Sequence, residues 1–283
     1  MLTEPDFWFQ SQRGLVSDIE RLFGEIAVGA GLPIMQVYAN GAASALKSDG
    51  SPVTEADMRA EAFILEQLAR YCGGTPVIAE ESMAAGQKAA IAERFILVDP
   101  LDGTKEFIDR RDEFTVNIAL IESGQPVAGA IYAPALNTLW IGGTRGARSA
   151  TLDPGQMLSS AQDERPIHAR PWPGPQAIGV ASRNHSDEET ERFLSALAVG
   201  ERRSRGSSLK FCLLAAAEAD VYPRFGPTME WDVAAGHAIL NAAGGTVTKP
   251  DGTPFTYGKI NEGFRNGPFI GWGDKSKAHQ SKS

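Results

Sequence analysis

The chain has 283 residues, 42% of them apolar and 22% charged, with 27 basic against 35 acidic side chains for a formal net charge of −8. That balance argues against a general nucleic-acid binder, which needs a phosphate-neutralising basic surface, and the ordinary apolar content argues against wholesale disorder. The length suits one large domain or two fused subdomains, and an anionic substrate would need local cations.

The aromatic cluster Phe7-Trp8-Phe9 comes first, beside Glu4 and Asp6. It reads as a segment packed on its own domain, with a peripheral anchor on the cytoplasmic face of the inner membrane as the alternative. No run approaches the roughly 18 continuous apolar residues of a membrane span, and no signal-peptide pattern opens the chain, so a soluble cytoplasmic protein is expected. Cys72 and Cys212 lie far apart without metal-ligand spacing and read as reduced thiols.

Apolar residues recur at helical spacing over residues 15–37 (Val16, Ile19, Leu22, Phe23, Ile26) and again from 54 or 56 to about 71, which predicts two packed helices. Residues 46–54 between them are rich in turn formers and predict a hairpin or loop that delivers Asp57 to the first turn of the second helix. Short β-like runs follow at 75–79, 95–98, 115–122, 127–133 and 138–142, with Ser123-Gly124-Gln125 as a hairpin turn, so a mixed or antiparallel sheet is expected. Residues 143–175 are weakly periodic and rich in Gly, Ser, Pro and Arg, which marks a joint between two subdomains, 1–165 and 166–283. Beyond it, 177–181 reads as a strand, 186–197 and 207–219 as helices, and 233–243 as an apolar helix opened by Trp231-Asp232 and ended by Gly244-Gly245. A hairpin is expected at Asp251-Gly252, and the polar tail after Asp274 is expected to fray.

The chemistry concentrates in Asp99-Pro100-Leu101-Asp102-Gly103-Thr104-Lys105, which follows the apolar run Phe95-Ile96-Leu97-Val98 and so sits where a buried strand is expected to end. Either carboxylate alone suits a turn or a helix N-cap. Together, across a tight turn, Asp99 and Asp102 with the Leu101 carbonyl and the Thr104 hydroxyl offer four oxygens to a hard divalent cation. Gly103 permits close approach, and the N–H groups of Gly103, Thr104 and Lys105 are candidate phosphate donors at a helix start. Glu80-Glu81 follows Pro76-Val77-Ile78-Ala79 at another strand end, where Glu80 with Thr104 would hold or deprotonate an attacking water; a solvated acidic loop is the plainer reading. Asp232 suits a helix first turn whatever its role, and it also suits the clamp of a second cation.

Those segments, with Trp231-Asp232-Val233-Ala234-Ala235-Gly236, resemble the inositol monophosphatase superfamily of magnesium-dependent, lithium-sensitive phosphatases. Lys105-Glu106-Phe107-Ile108, Glu113-Phe114-Thr115-Val116-Asn117-Ile118-Ala119-Leu120, Gly206-Ser207-Ser208-Leu209-Lys210-Phe211-Cys212 and Tyr222-Pro223-Arg224-Phe225-Gly226-Pro227-Thr228 are similar to its CysQ-type 3′(2′),5′-bisphosphate nucleotidase branch. The likeness covers roughly residues 34–269. It implies an α/β (α+β) fold, a layered αβαβα sandwich, and two or three Mg2+ ions per site. One is expected on Glu80, Asp99 and the Leu101 carbonyl, and another on Asp99, Asp102 and Asp232. Catalytic roles would fall to Glu80, Thr104 and Asp57, the last orienting Thr104 or a water.

The branch implies hydrolysis of the 3′-phosphate of adenosine 3′,5′-bisphosphate to AMP, with the sulfated analogue as a further substrate, in sulfur assimilation or nucleotide recycling. Substrate would touch Glu80, Leu101, Asp102, Gly103, Thr104 and Asp232, with Ser207, Ser208, Lys210 and Arg224 as candidates for the rest of the nucleotide. A homodimer is an open expectation. The alternatives are an inositol or other small sugar phosphatase with the same metal ligands, and a non-catalytic metal- or phosphate-binding protein, which would be expected to have lost a ligand.

Overall fold

The computed structural model describes residues 18–41, 44–47, 52–88, 90–182 and 188–280. The Phe7-Trp8-Phe9 cluster, the start of the predicted 186–197 helix and the last three residues lie outside that set. Helix α1 (Ile19–Asn40) is followed by a hairpin of β1 (Ser44–Leu46) and β2 (Pro52–Thr54), which leads directly into helix α2 (Glu55–Tyr71). Both helices were legible from their periodicity. Helix α1 is also long and apolar enough to cross a membrane, which a search for unbroken apolar runs misses because Glu20, Arg21 and Glu25 interrupt it; 61% of its apolar window is buried within the fold.

Seven strands form the first sheet: β3 (Val77–Ala79), β4 (Arg94–Asp102), β5 (Thr115–Glu122), β6 (Gln125–Ala133), β7 (Thr138–Gly143), β8 (Gly146–Thr151) and β9 (Gln162–Ile167). They lie in sequence order, with β3 parallel to β4 and the rest antiparallel. Helix α3 (Glu80–Ala84) leaves β3 directly, and helix α4 (Thr104–Ile108) leaves β4 after one glycine. The period of two along a strand sends Ile96 and Val98 into one hydrophobic cluster with α1 and α2, and Phe95 and Leu97 into another on the opposite face. A sheet buried on both faces needs a layer on each.

The second half supplies that opposite layer and a further sheet. Its elements are β10 (Ile178–Ser182), α5 (Glu188–Ala196), β11 (Glu201–Arg205), α6 (Leu209–Ala215), β12 (Val221–Arg224), β13 (Thr228–Met229), α7 (Glu230–Ala242), β14 (Thr246–Thr248), β15 (Arg265–Asn266), β16 (Phe269–Trp272) and α8 (Lys275–Gln280). Strands β11-β10-β12-β16-β14 form a mixed five-stranded sheet. Helices α6 and α7 lie between the two sheets, and Leu194 of α5 and Ala278 of α8 pack with Val221, Ile270 and Trp272 beyond the second. The result is the expected αβαβα sandwich. Where α7 crosses β7, a Cβ on Gly142 would stand 2.5 Å from Ile239 Cα, so the helix packs where a side chain is missing.

Three expectations need correction. Residues 143–175 are not a featureless joint: β8 and β9 occupy much of that stretch. Their backbone pairing, rather than apolar periodicity, makes them strands, since four of the six residues of β9 are not apolar. The predicted 207–219 helix shrinks to α6. The tail does not fray at Asp274, because α8 anchors it through the fully buried Ala278.

Candidate active site

Strand β4 does not end at Val98. It continues through Asp102 with Asp99 opposite Asn117 and Asp102 opposite Thr115. Three residues on one strand thus span two on the other, a bulge of the kind that re-aims side chains. Asp99 and Asp102 therefore straddle a kink within a paired strand rather than a tight turn beyond it. Asp99 is buried, and its Oδ1 accepts the Leu101 N–H at 3.0 Å. Gly103 follows at φ +94°, a left-handed conformation that glycine adopts without cost, and so starts α4 at Thr104. The Thr104 hydroxyl lies 3.2 Å from both Asp57 Oδ1 and the Leu101 carbonyl.

Asp57 caps α2 and also reaches Thr104. Its Oδ2 accepts the Thr54 N–H and the Thr54 hydroxyl, each at 2.7 Å, closing a capping box at the start of α2. Its other oxygen meets Thr104. Asp232, at the third position of α7 rather than at its opening, repeats the pattern by accepting the Met229 N–H at 2.8 Å. Glu80 opens α3, whose N–H groups at Glu81 and Ser82 donate to Glu61 at 2.8 Å each.

Bulge and helix starts together bring one carboxylate oxygen each of Glu80, Asp99 and Asp232 within 4.8 Å of one another. Asp102 is not in that set; its Oδ2 lies 2.7 Å from the Ser208 hydroxyl. Burial first, then the charges of Glu80, Asp102 and Asp232, raises the Asp99 carboxyl well above its usual range. Burial also raises Asp232, Glu80 and Asp57, and pushes Glu81 up to about 7. Oxygen-only ligands packed at mutual electrostatic cost fit a hard divalent cation. Lys47 partly offsets that cost: its Nζ lies 2.7 Å from Glu80 Oε1 and 2.6 Å from Glu81 Oε1. Burial alone would lower the Lys47 ammonium, but the two carboxylates outweigh it and hold it above its usual range.

A stability consequence follows from these shifts. A carboxyl whose pKa is raised by folding contributes stability that is full below its unfolded value, about 4, and is lost as pH rises through its folded value. In EDTA, the thermal midpoint is therefore expected to fall as the solution is taken from about pH 4 through and beyond about 7, the value for Glu81, and excess Mg2+ should restore much of the loss. A midpoint in EDTA that rises over this window would refute the account.

The cleft beside the carboxylates has a volume of about 210 Å³ and is lined by Glu80, Asp102, Gly103, Thr104, Asp232 and Ser207, among others. Ser208, Lys210, Tyr222 and Arg224 also line it. Lys210 is not on an exposed helix face: it is 4% exposed, its Nζ donates to the Ser207 and Arg205 carbonyls, and burial lowers its ammonium to about 8. Arg224 is buried too, donating to the Gly226 and Pro227 carbonyls. Every candidate residue named from the sequence thus falls in or beside one cleft.

Sequence reading missed the supporting residues. Lys47 was only one of a set of turn formers, and Glu61 sits in an ordinary amphipathic helix with nothing local to single it out. Glu113, whose Oε2 accepts the Gly206 N–H at 2.8 Å, and Asn117 lay in segments quoted for their likeness alone. A polar Asn117 inside a run of aliphatic strand residues was the one signal available.

A sequence profile of the inositol monophosphatase family matches residues 17–279. A protein named 3′(2′),5′-bisphosphate nucleotidase CysQ from Salmonella typhimurium strain LT2 is 44% identical over 247 residues, 85% of this chain and 96% of that protein. The protein of the same name from Escherichia coli strain K12 is 41% identical over 247 residues, again 85% and 96%. The crystal structure of CysQ from Bacteroides thetaiotaomicron superposes with a TM-score of 0.73 at 37% identity, covering 90% of this chain and 97% of that one. The inositol monophosphatase of Thermotoga maritima, at 21% identity, shares the fold with a TM-score of 0.71 over 91% and 93% of the two chains.

Proposed function

The chain belongs to the inositol monophosphatase family, and we propose that it is a metal-dependent 3′(2′),5′-bisphosphate nucleotidase, which releases the 3′-phosphate of adenosine 3′,5′-bisphosphate to leave AMP. The sulfated analogue is a further substrate in this reading, and the role is in sulfur metabolism. The observation that carries it is the convergence of Glu80, Asp99 and Asp232 beside the Asp57–Thr104 pair. Two or three Mg2+ ions would be held by Glu80, Asp99, the Leu101 carbonyl, Asp102 and Asp232. When bound, they neutralise charge on the transferring phosphoryl group.

The remaining steps belong to the side chains. Asp57 accepts the Thr104 proton, which leaves the Thr104 oxygen able to accept from the attacking water. Glu80 takes that water's proton as its oxygen bonds to phosphorus and the bond to the ribose 3′-oxygen breaks, and the departing 3′-oxygen takes a proton from a second water on the Asp232 side of the cleft, so that the nucleotide leaves as its 3′-hydroxyl. Lys47 donates to Glu80 Oε1 in the structure, which leaves Oε2 as the oxygen to take the proton. Arg224 and Lys210 supply positive charge for the second phosphate, with Ser207 as a hydroxyl partner, whereas the Ser208 hydroxyl, first a candidate for the same role, is taken by Asp102 Oδ2 at 2.7 Å. Neither cysteine is needed: Cys212 is buried, and burial raises its thiol well above the range of a nucleophile.

Residues 1–165 carry most of the metal ligands, and 166–283 contribute Asp232 and much of the nucleotide pocket. The unpaired cysteines suit a cytoplasmic location, and a homodimer is compatible with all of the above.

The decisive assay compares phosphate release from adenosine 3′,5′-bisphosphate and from inositol 1-phosphate with Mg2+, with and without Li+. A strong preference for the nucleotide and inhibition by Li+ are expected. Equal or faster release from inositol 1-phosphate would overturn the substrate assignment, and no release from either would leave a binding protein.

A further inference from the structure

Strand β5 carries a buried polar row that the mechanism does not use. Ala119 and Ile121 face the cluster containing α6 and α7, whereas Val116, Ile118 and Leu120 face α1 and α2. By the period of two, Thr115 and Asn117 continue the first row, and they are 0% and 1% exposed. A carboxamide among aliphatic side chains is costly unless its groups are bonded, and these are. Thr115 Oγ1 donates to Asn117 Oδ1 at 3.0 Å, and Asn117 Nδ2 donates to Ser208 Oγ at 2.8 Å. Ser208 Oγ lies 2.7 Å from Asp102 Oδ2 and 2.9 Å from the Asp232 carbonyl. Asn117 Nδ2 also stands 3.4 Å from Asp102 Oδ2.

We propose that Asn117 is a positioning residue for the phosphatase reaction, aiming Asp102 through Ser208. The inference rests on the reading of Asp102 as a cation ligand. Asp102 stands outside the three converging carboxylates, at the end of a bulged strand, among neighbours of like charge. Hydrogen bonding is what orients it. With Asn117 donating into the Ser208 oxygen, the single Ser208 proton is left for an acceptor on the far side, and Asp102 Oδ2 is the nearer of the two in reach. That commits one Asp102 oxygen to the protein and leaves the other for a cation. Because Asn117 belongs to the first sheet and Ser208 to the segment that opens α6, the tether forms only when the two halves are docked.

The test uses N117A, S208A and the double variant. Mg2+ or Mn2+ binding is measured by calorimetry, kcat and KM for adenosine 3′,5′-bisphosphate at saturating Mg2+, and folding by melts in EDTA. Cation affinity is expected to weaken roughly 10- to 100-fold in N117A, the range typical of residues that orient metal ligands. Its kcat should fall with KM little changed, and the double variant should bind cation no more weakly than S208A. Parental cation affinity in folded N117A, or losses that multiply in the double variant, would overturn the proposal. Should N117A not fold, T115V, which removes the donor that orients the Asn117 carboxamide, is judged by the same criteria. D102N separates the two levels. If D102N binds cation and turns over normally, Asp102 is not a ligand; if D102N is impaired beside a normal N117A, only the tether fails.

Discussion

Replacing Asp99 by Asn is expected to abolish turnover while leaving the cation-free protein as stable as the parent, or more so. Asp99 is 1% exposed, and its carboxylate is disfavoured first by burial and then by Glu80, Asp102 and Asp232. Asparagine keeps the shape and the oxygen that accepts the Leu101 N–H, and it removes one negative charge from the cluster. Folding therefore loses a penalty, not a contact. Turnover loses one of the proposed cation ligands: charge stabilisation by a catalytic metal is worth several kcal/mol, so a fall on the order of 10³-fold or more in kcat/KM is expected. The check pairs phosphate-release kinetics with a melt in EDTA at about pH 8, where the parent's carboxylates are more fully ionised. A D99N protein that is inactive because it has unfolded would count against this account. So would one that retains near-parental activity.

The second large effect is expected at Gly103. Alanine there would keep φ near +94°, a conformation that costs about 1–3 kcal/mol for a non-glycine residue. Its Cβ would also stand 3.0 Å from the Glu113 carbonyl oxygen and 3.3 Å from Phe114 Cα and Ser207 Cβ. Those neighbours come from both halves of the cleft and two of them are backbone atoms, so relief of the contact must shift Gly103, and with it Asp102 and Thr104, relative to them. Displacements of about 1 Å at a catalytic site cost on the order of 10²-fold in rate. G103A is thus expected to lose both stability and kcat, measured by melts and by turnover at saturating substrate. An unchanged kcat in a folded G103A would show that Asp102 and Thr104 do not depend on the glycine for their placement.

The two predictions differ in what makes them visible. Asp99 and Asp102 could be singled out because carboxylates three apart after an aliphatic run are rare in combination with a Gly-Thr step. Glu80 stood out for the same local reason, at the end of Pro76-Val77-Ile78-Ala79. The two helices around residues 19–71 and the β5–β6 hairpin were legible because their apolar period, 3.6 or 2, is written in consecutive residues. Strands β8 and β9 were not, since Gln162, Asp163, Glu164 and Arg165 carry no apolar alternation and are strands through backbone pairing with β8. The bulge between Asp99 and Asp102 was equally invisible, because it is a mismatch of register with β5 and has no signature within β4 itself.

The sequence by itself determined the reaction chemistry on offer: which oxygens could serve a hard cation, which residue types could position a water, and the family resemblance carried by those motifs. These are properties of side-chain identity and short spacing, and they survive without coordinates. Tertiary structure alone decided which groups share a low-dielectric space. It brought Glu80, Asp99 and Asp232 within 4.8 Å across 152 positions of chain, paired Lys47 with Glu80 and Glu81, and buried Lys210. It also routed Asp102 through Ser208 to Asn117. The physical reason is that charge coupling and hydrogen bonding depend on distance and burial in space. Neither is encoded in the order of residues until the helix starts and the bulged strand are folded against one another.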